Sequence, residues 1–252
     1  MSLFSNMTIQ LSFDNIDSIG VTKWLGSAMF TPSNSYYYVS DVGLKKIFIL
    51  NESWSYVSSK VFTSPAYFST IGNSLYATGD KNIWKLDQNL SILIQYNATG
   101  TNPNYRGIYI NSTNNFIYIA PRSFNVIHVF NLNLSFSHNI STSSYKPYSI
   151  SGYNNQIFVG DDAKGTILVI ENERIVNEFN GCNGNLFMLS HILFDDCGLM
   201  ATSCSNNKLY LYYPNGTYIG KSLNTPPNPR YIGFDSKGRF IQISWEKISI
   251  YS

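Results

Sequence analysis

Pro229-Arg-Tyr-Ile-Gly-Phe-Asp-Ser-Lys-Gly-Arg-Phe-Ile-Gln-Ile-Ser-Trp-Glu-Lys-Ile-Ser-Ile-Tyr-Ser252 reads as three short strands separated by Asp-Ser-Lys-Gly and Trp-Glu-Lys turns. Three strands leave one edge unpaired, and an open edge invites pairing with another chain. The other end of the sequence offers a partner. Thr8 to Phe13, Thr-Ile-Gln-Leu-Ser-Phe, alternates polar and apolar side chains as a half-buried strand does. The expectation is that this N-terminal strand completes the C-terminal sheet and closes a ring of similar sheets.

Working outward, short runs rich in Val, Ile, Tyr and Phe recur between clusters of Asn, Gly, Asp and Ser, and helical periodicity is hard to find. Anchoring each unit on one core position of its second strand gives Val39, Ala77, Ile119, Val159, Ala201 and Ile241, at steps of 38, 42, 40, 42 and 40 residues. A ladder from the following strand keeps step: Ile47, Ile83, Ile127, Ile167, Leu209 and Ile248. Pro65, Pro147 and Pro229 each stand 12 residues before an anchor, at the entrance to a first strand, where a missing N–H does no harm. A four-stranded repeat of roughly 40 residues is the signature of a β-propeller. The predicted fold is all-β: one six-bladed propeller over 1–252, with blades near 27–62, 65–97, 104–140, 147–179, 185–219 and 229–252, the last joined by closing strand 8–13. The connection Asp14 to Trp24 is longer than the others and has no counterpart in the repeat.

Tyr-Val-Ser-Asp-Val-Gly-Leu-Lys-Lys-Ile-Phe-Ile-Leu (Tyr38 to Leu50) and Ile-Phe-Val-Gly-Asp-Asp-Ala-Lys-Gly-Thr-Ile-Leu-Val-Ile (Ile157 to Ile170) resemble the core of NHL-type propeller repeats. The resemblance covers about Ser27 to Ser252, but Arg122, Ser205 and Trp245 stand near where the repeat's aspartate belongs. It implies the fold far more than any function, because propellers host enzymes, scaffolds and binding modules alike.

Length and charge narrow the classes. A formal charge of +2 over 252 residues announces neither nucleic acid nor an anionic membrane. No apolar run reaches the roughly 18 residues that a membrane helix needs, and the first residues lack the regions of a signal peptide. Either the chain is cytoplasmic or it is a monomeric domain of a longer secreted protein. Sequons at Asn51, Asn89, Asn133 and Asn215 fall in the hairpins between third and fourth strands, where a glycan is harmless, and favour the extracellular reading; further sequons stand at Asn6, Asn97, Asn111 and Asn139.

Propeller lyases of the peptide-amidation type hold zinc with three histidines, but His128, His138 and His191 fall on strands that do not converge. Six-bladed lactonases hold Ca2+ at the channel mouth, which makes Asp41, Asp80 and Asp161 metal candidates; the alternative is that they cap turns. Asp162 shares their loops, whereas Asp195 and Asp235 belong to the opposite face. No nucleophile elbow, phosphate loop or His-Glu-x-x-His is present. Cys182 and Cys204 lie toward one face of blade five and are the candidate disulfide, leaving Cys197 odd.

The remaining constellation is Tyr67, Tyr105, Arg106, Tyr148, Arg230 and Tyr231, which follow the blade-joining loops into the inner strands. Tyrosine and arginine provide flat amphipathic contact area; the bland alternative is that the rings plug the channel. The expectation is a non-catalytic module, with no cofactor, presenting this face to a protein or glycan. The alternatives are a Ca2+-dependent lactonase-like hydrolase and an RNA-binding NHL-like propeller.

Overall fold

The structure is a computed structural model, and it describes residues 9–13, 25–31, 34–184, 188–235, 237–245 and 247–251. Within those bounds every regular element is a strand. Strand β1 is Ile9–Phe13. Blade one is β2 (Leu25–Thr31), β3 (Tyr36–Asp41), β4 (Lys46–Leu50) and β5 (Tyr56–Val61); blade two is β6 (Phe68–Ile71), β7 (Ser74–Thr78), β8 (Asn82–Leu86) and β9 (Ile92–Asn97). Blade three is β10 (Tyr105–Asn111), β11 (Phe116–Pro121), β12 (Val126–Asn131) and β13 (Phe136–Ser141); blade four is β14 (Pro147–Tyr153), β15 (Gln156–Asp161), β16 (Thr166–Glu171) and β17 (Arg174–Asn180). Blade five is β18 (Leu189–Phe194), β19 (Met200–Cys204), β20 (Lys208–Tyr212) and β21 (Tyr218–Asn224); blade six is β22 (Pro229–Phe234), β23 (Phe240–Ser244) and β24 (Ile248–Tyr251).

Blade six takes its fourth strand from the start of the chain. Its order is β1-β24-β23-β22, with Ile9 opposite Tyr251, Leu11 opposite Ile250 and Phe13 opposite Ile248. The ring therefore closes as the terminal strands predict. The predicted connection Asp14 to Trp24, the sequon at Asn6 and the predicted start of blade five at 185 lie outside the described residues.

All twelve ladder residues are at most 2% exposed, because each blade buries both faces against its neighbours. Tyr38, Ile47 and Ile49 of blade one pack on Phe68, Leu75 and Trp84 of blade two; comparable layers join blades three to four, four to five and five to six. The outermost strands carry polar side chains and a few exposed apolar ones, such as Tyr56, Leu93 and Val176. Cys182 and Cys204 form a disulfide with Cα atoms 6.0 Å apart, inside the layer between blades four and five, and Cys197 is a free, exposed thiol.

The inner strands share an irregularity that periodicity does not predict. A register shift interrupts β2 between Leu25 and Ala28, β10 between Tyr105 and Ile108, β14 between Pro147 and Ser149, β18 between Leu189 and His191, and β22 between Pro229 and Tyr231. Blade two does the same just ahead of β6: Ala66 N–H donates to the Thr78 carbonyl while Thr78 N–H donates to that of Tyr67. Such bulges bend the strand and re-aim the side chains within them. Here they recur at the same end of every blade.

Candidate functional site

The bulges build the channel mouth. Gly26, Arg106, Tyr148 and Arg230 stand inside the register shifts of four blades, and with Tyr67 and Ala66 from the bulge of blade two they line one cavity of about 140 Å³. Arg122 and Trp245 complete its polar and aromatic wall, and Leu25 and Val42 its apolar side. Arg122 and Trp245 lie at the loops where the repeat carries aspartate in blades one and four, so the departures from the pattern mark the site. They were the available signal, visible only as mismatches.

A cluster of rings forms the inner side of this cavity and continues beyond it. Tyr67, Tyr148 and Tyr231 are buried; the Tyr67 ring meets Tyr148 edge-on at 6.1 Å and stacks with His191 at 6.2 Å, and His191 lies 4.3 Å from the Tyr231 ring. Burial holds the Tyr67 phenol well above its ordinary range, Tyr148 adds to this, and Arg230 and Arg106 oppose it. Burial alone raises Tyr231 and pushes the His191 imidazole down to about 3. The ring cluster is therefore neutral.

The wall beside these rings is cationic. Arg230 reaches across the channel to donate from Nη1 to the Tyr148 hydroxyl at 2.9 Å, and its guanidinium lies 4.7 Å from the Trp245 ring centre. Arg122 lies over the Tyr148 ring at 5.5 Å and pairs with Asp162 at 2.8 Å. Arg106 is 3.8 Å from Asp80, while its buried Nε has no hydrogen-bond partner among the described residues. Among the described residues, Arg230 meets no carboxylate and no acidic side chain lines the cavity.

The other expected residues lie elsewhere or are otherwise engaged. Tyr105 precedes the bulge of β10 and faces away from this cavity, with its hydroxyl 3.1 Å from His128 Nδ1, against a groove between blades two and three. Tyr231 belongs to the ring cluster rather than the wall. Asp41 accepts the Leu44 N–H, Asp161 accepts those of Ala163, Lys164 and Lys146, and Asp80 faces Arg106. These carboxylates cap turns and neutralise arginine, and they do not fit a shared Ca2+, which needs about six to eight oxygens around one point. Among the described residues no three His, Cys, Asp or Glu side chains are grouped to hold a metal. Asn51, Asn89, Asn133 and Asn215 all fall in hairpins between third and fourth strands; Asn89, Asn133 and Asn215 are exposed, and the Asn51 side chain accepts the Ser53 and Ser55 N–H groups as the Asn215 side chain accepts that of Thr217.

No family model matches the chain, and no curated protein matches its sequence. Solved structures do resemble it. A streptogramin B lyase superposes with a TM-score of 0.71 at 13% identity, over 92% of this chain and 94% of that one. The virginiamycin B lyase of Staphylococcus aureus gives 0.71 at 13% identity, over 89% and 79%, and the Pan2 WD40 domain of Neurospora crassa 0.67 at 7%, over 90% and 88%. At such identities the likeness is one of fold alone. The chain is a six-bladed β-propeller, and its NHL character remains a resemblance of two repeats.

Proposed function

We propose that the protein is a non-catalytic binding module whose channel mouth seats an acidic side chain of a protein partner. The observation that carries this is the convergence of Arg106, Arg122 and Arg230 on one cavity that, among the described residues, no acidic side chain lines. Guanidinium groups present fixed forks of donors that match a carboxylate, and Arg230 retains that capacity because it meets a phenol and an indole ring. Size fits as well: 140 Å³ is the volume of about five water molecules at roughly 30 Å³ each, enough for a carboxylate on a short stem. The buried rings of Tyr67, Tyr148 and Tyr231 back the mouth, so a ligand group seated there would end against them. The structural likeness to a WD40 domain supports an interaction role in so far as fold informs it.

The test is the affinity of a fluorescent Glu-rich decapeptide against its Gln counterpart. Binding of the Glu peptide should exceed that of the Gln peptide, weaken with salt, and fall about tenfold or more in Arg230→Ala, the range for a hydrogen bond to a charged group. Equal binding of the two peptides, or an unchanged affinity in Arg230→Ala, would remove the proposal.

A further inference from the structure

The groove that receives Tyr105 is a second site, separate from the channel mouth. It has a volume of about 530 Å³ and runs between blades two and three, bordered by the connector from Ala98 to Pro103. Its apolar wall is aromatic: Phe124 stacks with His128 at 6.0 Å and 22°, and the Tyr105 ring meets His128 edge-on at 5.5 Å. Its polar side is built from amides and hydroxyls, those of Asn125, Asn139 and Thr99. Among the described residues no Asp, Glu, Lys or Arg lines it. The Tyr105–His128 hydrogen bond fixes the imidazole, and burial keeps His128 below its ordinary range, so the groove carries no charge at neutral pH.

We infer that this groove binds a neutral saccharide, with one face of the sugar ring on Phe124 and its hydroxyls on Asn125 and Asn139. A pyranose has an apolar C–H face and a rim of hydroxyls that both donate and accept. An aromatic platform bordered by carboxamides, which also do both, is complementary to each. The volume falls in the range of small-molecule sites, roughly 300 to 1,000 Å³. An anionic ligand finds no cation here, in contrast to the mouth.

The experiment uses the full chain made without N-glycans, because Asn139 stands in an Asn-Ile-Ser sequon. Saturation-transfer NMR is recorded with the methyl glycosides of mannose, galactose and N-acetylglucosamine, and with adenosine as a flat, neutral non-sugar. At least one glycoside should receive saturation at its ring C–H protons. Its dissociation constant should rise about tenfold in Phe124→Ala and several-fold in Asn139→Ala, the scale of one ring contact and one hydrogen bond. Arg230→Ala should leave glycoside binding unchanged, which separates this site from the mouth. Should Phe124→Ala fail to fold, the exposed pair Asn125→Ala and Asn139→Ala, which removes no packing, gives the same reading. Absence of transfer to every glycoside, transfer that survives these substitutions, or binding of adenosine in place of the sugars overturns the inference.

Discussion

Arg230 belongs to the cavity wall and His191 to the ring cluster, and their neighbours give them opposite electrostatic characters. Arg230 stands at the rim, held by a phenol and an indole, while His191 lies between the rings of Tyr67 and Tyr231, its buried Nδ1 without a hydrogen-bond partner among the described residues. A prediction follows for acid stability. The unfolded imidazole takes up its proton near 6.5 and the folded one only near 3, so between those values the unfolded state binds more protons and stability falls as pH falls. The contribution is at most about 1.4 kcal/mol per pH unit. His191→Phe, which fills the same slot without a titratable group, should flatten the urea midpoint between pH 6.5 and 4.5 relative to the parent. Parallel curves for the two proteins would show that His191 is protonated freely in the fold. The residues at this scale were only partly legible in the sequence. Arg106, Tyr148 and Arg230 are readable from their place at the head of an inner strand, whereas Arg122 and Trp245 register only as failures of the repeat. Tyr105 is misleading, because counting through a bulge inverts the side to which a strand residue points.

At the scale of the element, the ladders and the bulges explain why the blades were easy to read and the mouth was not. In blades one to four the two ladders face opposite sides: Val39 lies opposite Phe48 and Ile47 opposite Ser40, so each ladder feeds a different interblade layer. In blade five the hairpin closes at Cys204 and Lys208, one residue shorter than Asp41 and Lys46 in blade one, and Leu209 falls on the same face as Ala201. The other face of blade five is filled by Tyr210, Tyr212 and the Cys182–Cys204 disulfide. Apolar period survives such shifts, so the blade count survives with it; bulge positions carry no apolar signature and stay hidden. Gly107, inside the bulge of β10, is the place where this matters for packing. A Cβ there would lie 2.7 Å from Ile150 N and 2.9 Å from both Ser149 Cα and the Tyr148 carbonyl oxygen, all of them backbone atoms of β14. Gly107→Ala should therefore force the inner strands of blades three and four apart and destabilise the protein by about 1–3 kcal/mol. Denaturant titration gives the number, and because Tyr148 rides on the displaced strand, acidic-peptide affinity should fall alongside. A variant as stable as the parent would mean that β14 yields without cost.

At the scale of the whole molecule, the mouth depends on a pairing made far from it. Arg230 and Trp245 both belong to blade six, the one blade assembled from the two ends of the described chain, and the cavity they share gathers residues from blades one, two, three, four and six. The register of β1 on β24 runs over Ile9, Leu11, Ser12 and Phe13, and each net hydrogen bond of such a ladder contributes roughly 0.5–1.5 kcal/mol. Removing the chain through Phe13 should thus cost a few kcal/mol, and for a domain of this size a melting temperature lower by roughly 10 °C. It also bares the backbone of β24, an open edge with Ile248, Ile250 and Tyr251 on it, so the truncated protein should associate at concentrations where the parent is monodisperse. Two readouts separate loss of the strand from general damage. Adding a synthetic peptide of the sequence Ile-Gln-Leu-Ser-Phe with its flanking residues should raise the melting temperature back toward the parent value by strand addition, and acidic-peptide affinity at the mouth should fall on truncation and return with it. A truncated protein that melts within a degree or two of the parent would show that blade six holds its geometry on three strands, and the wheel would then need no clasp.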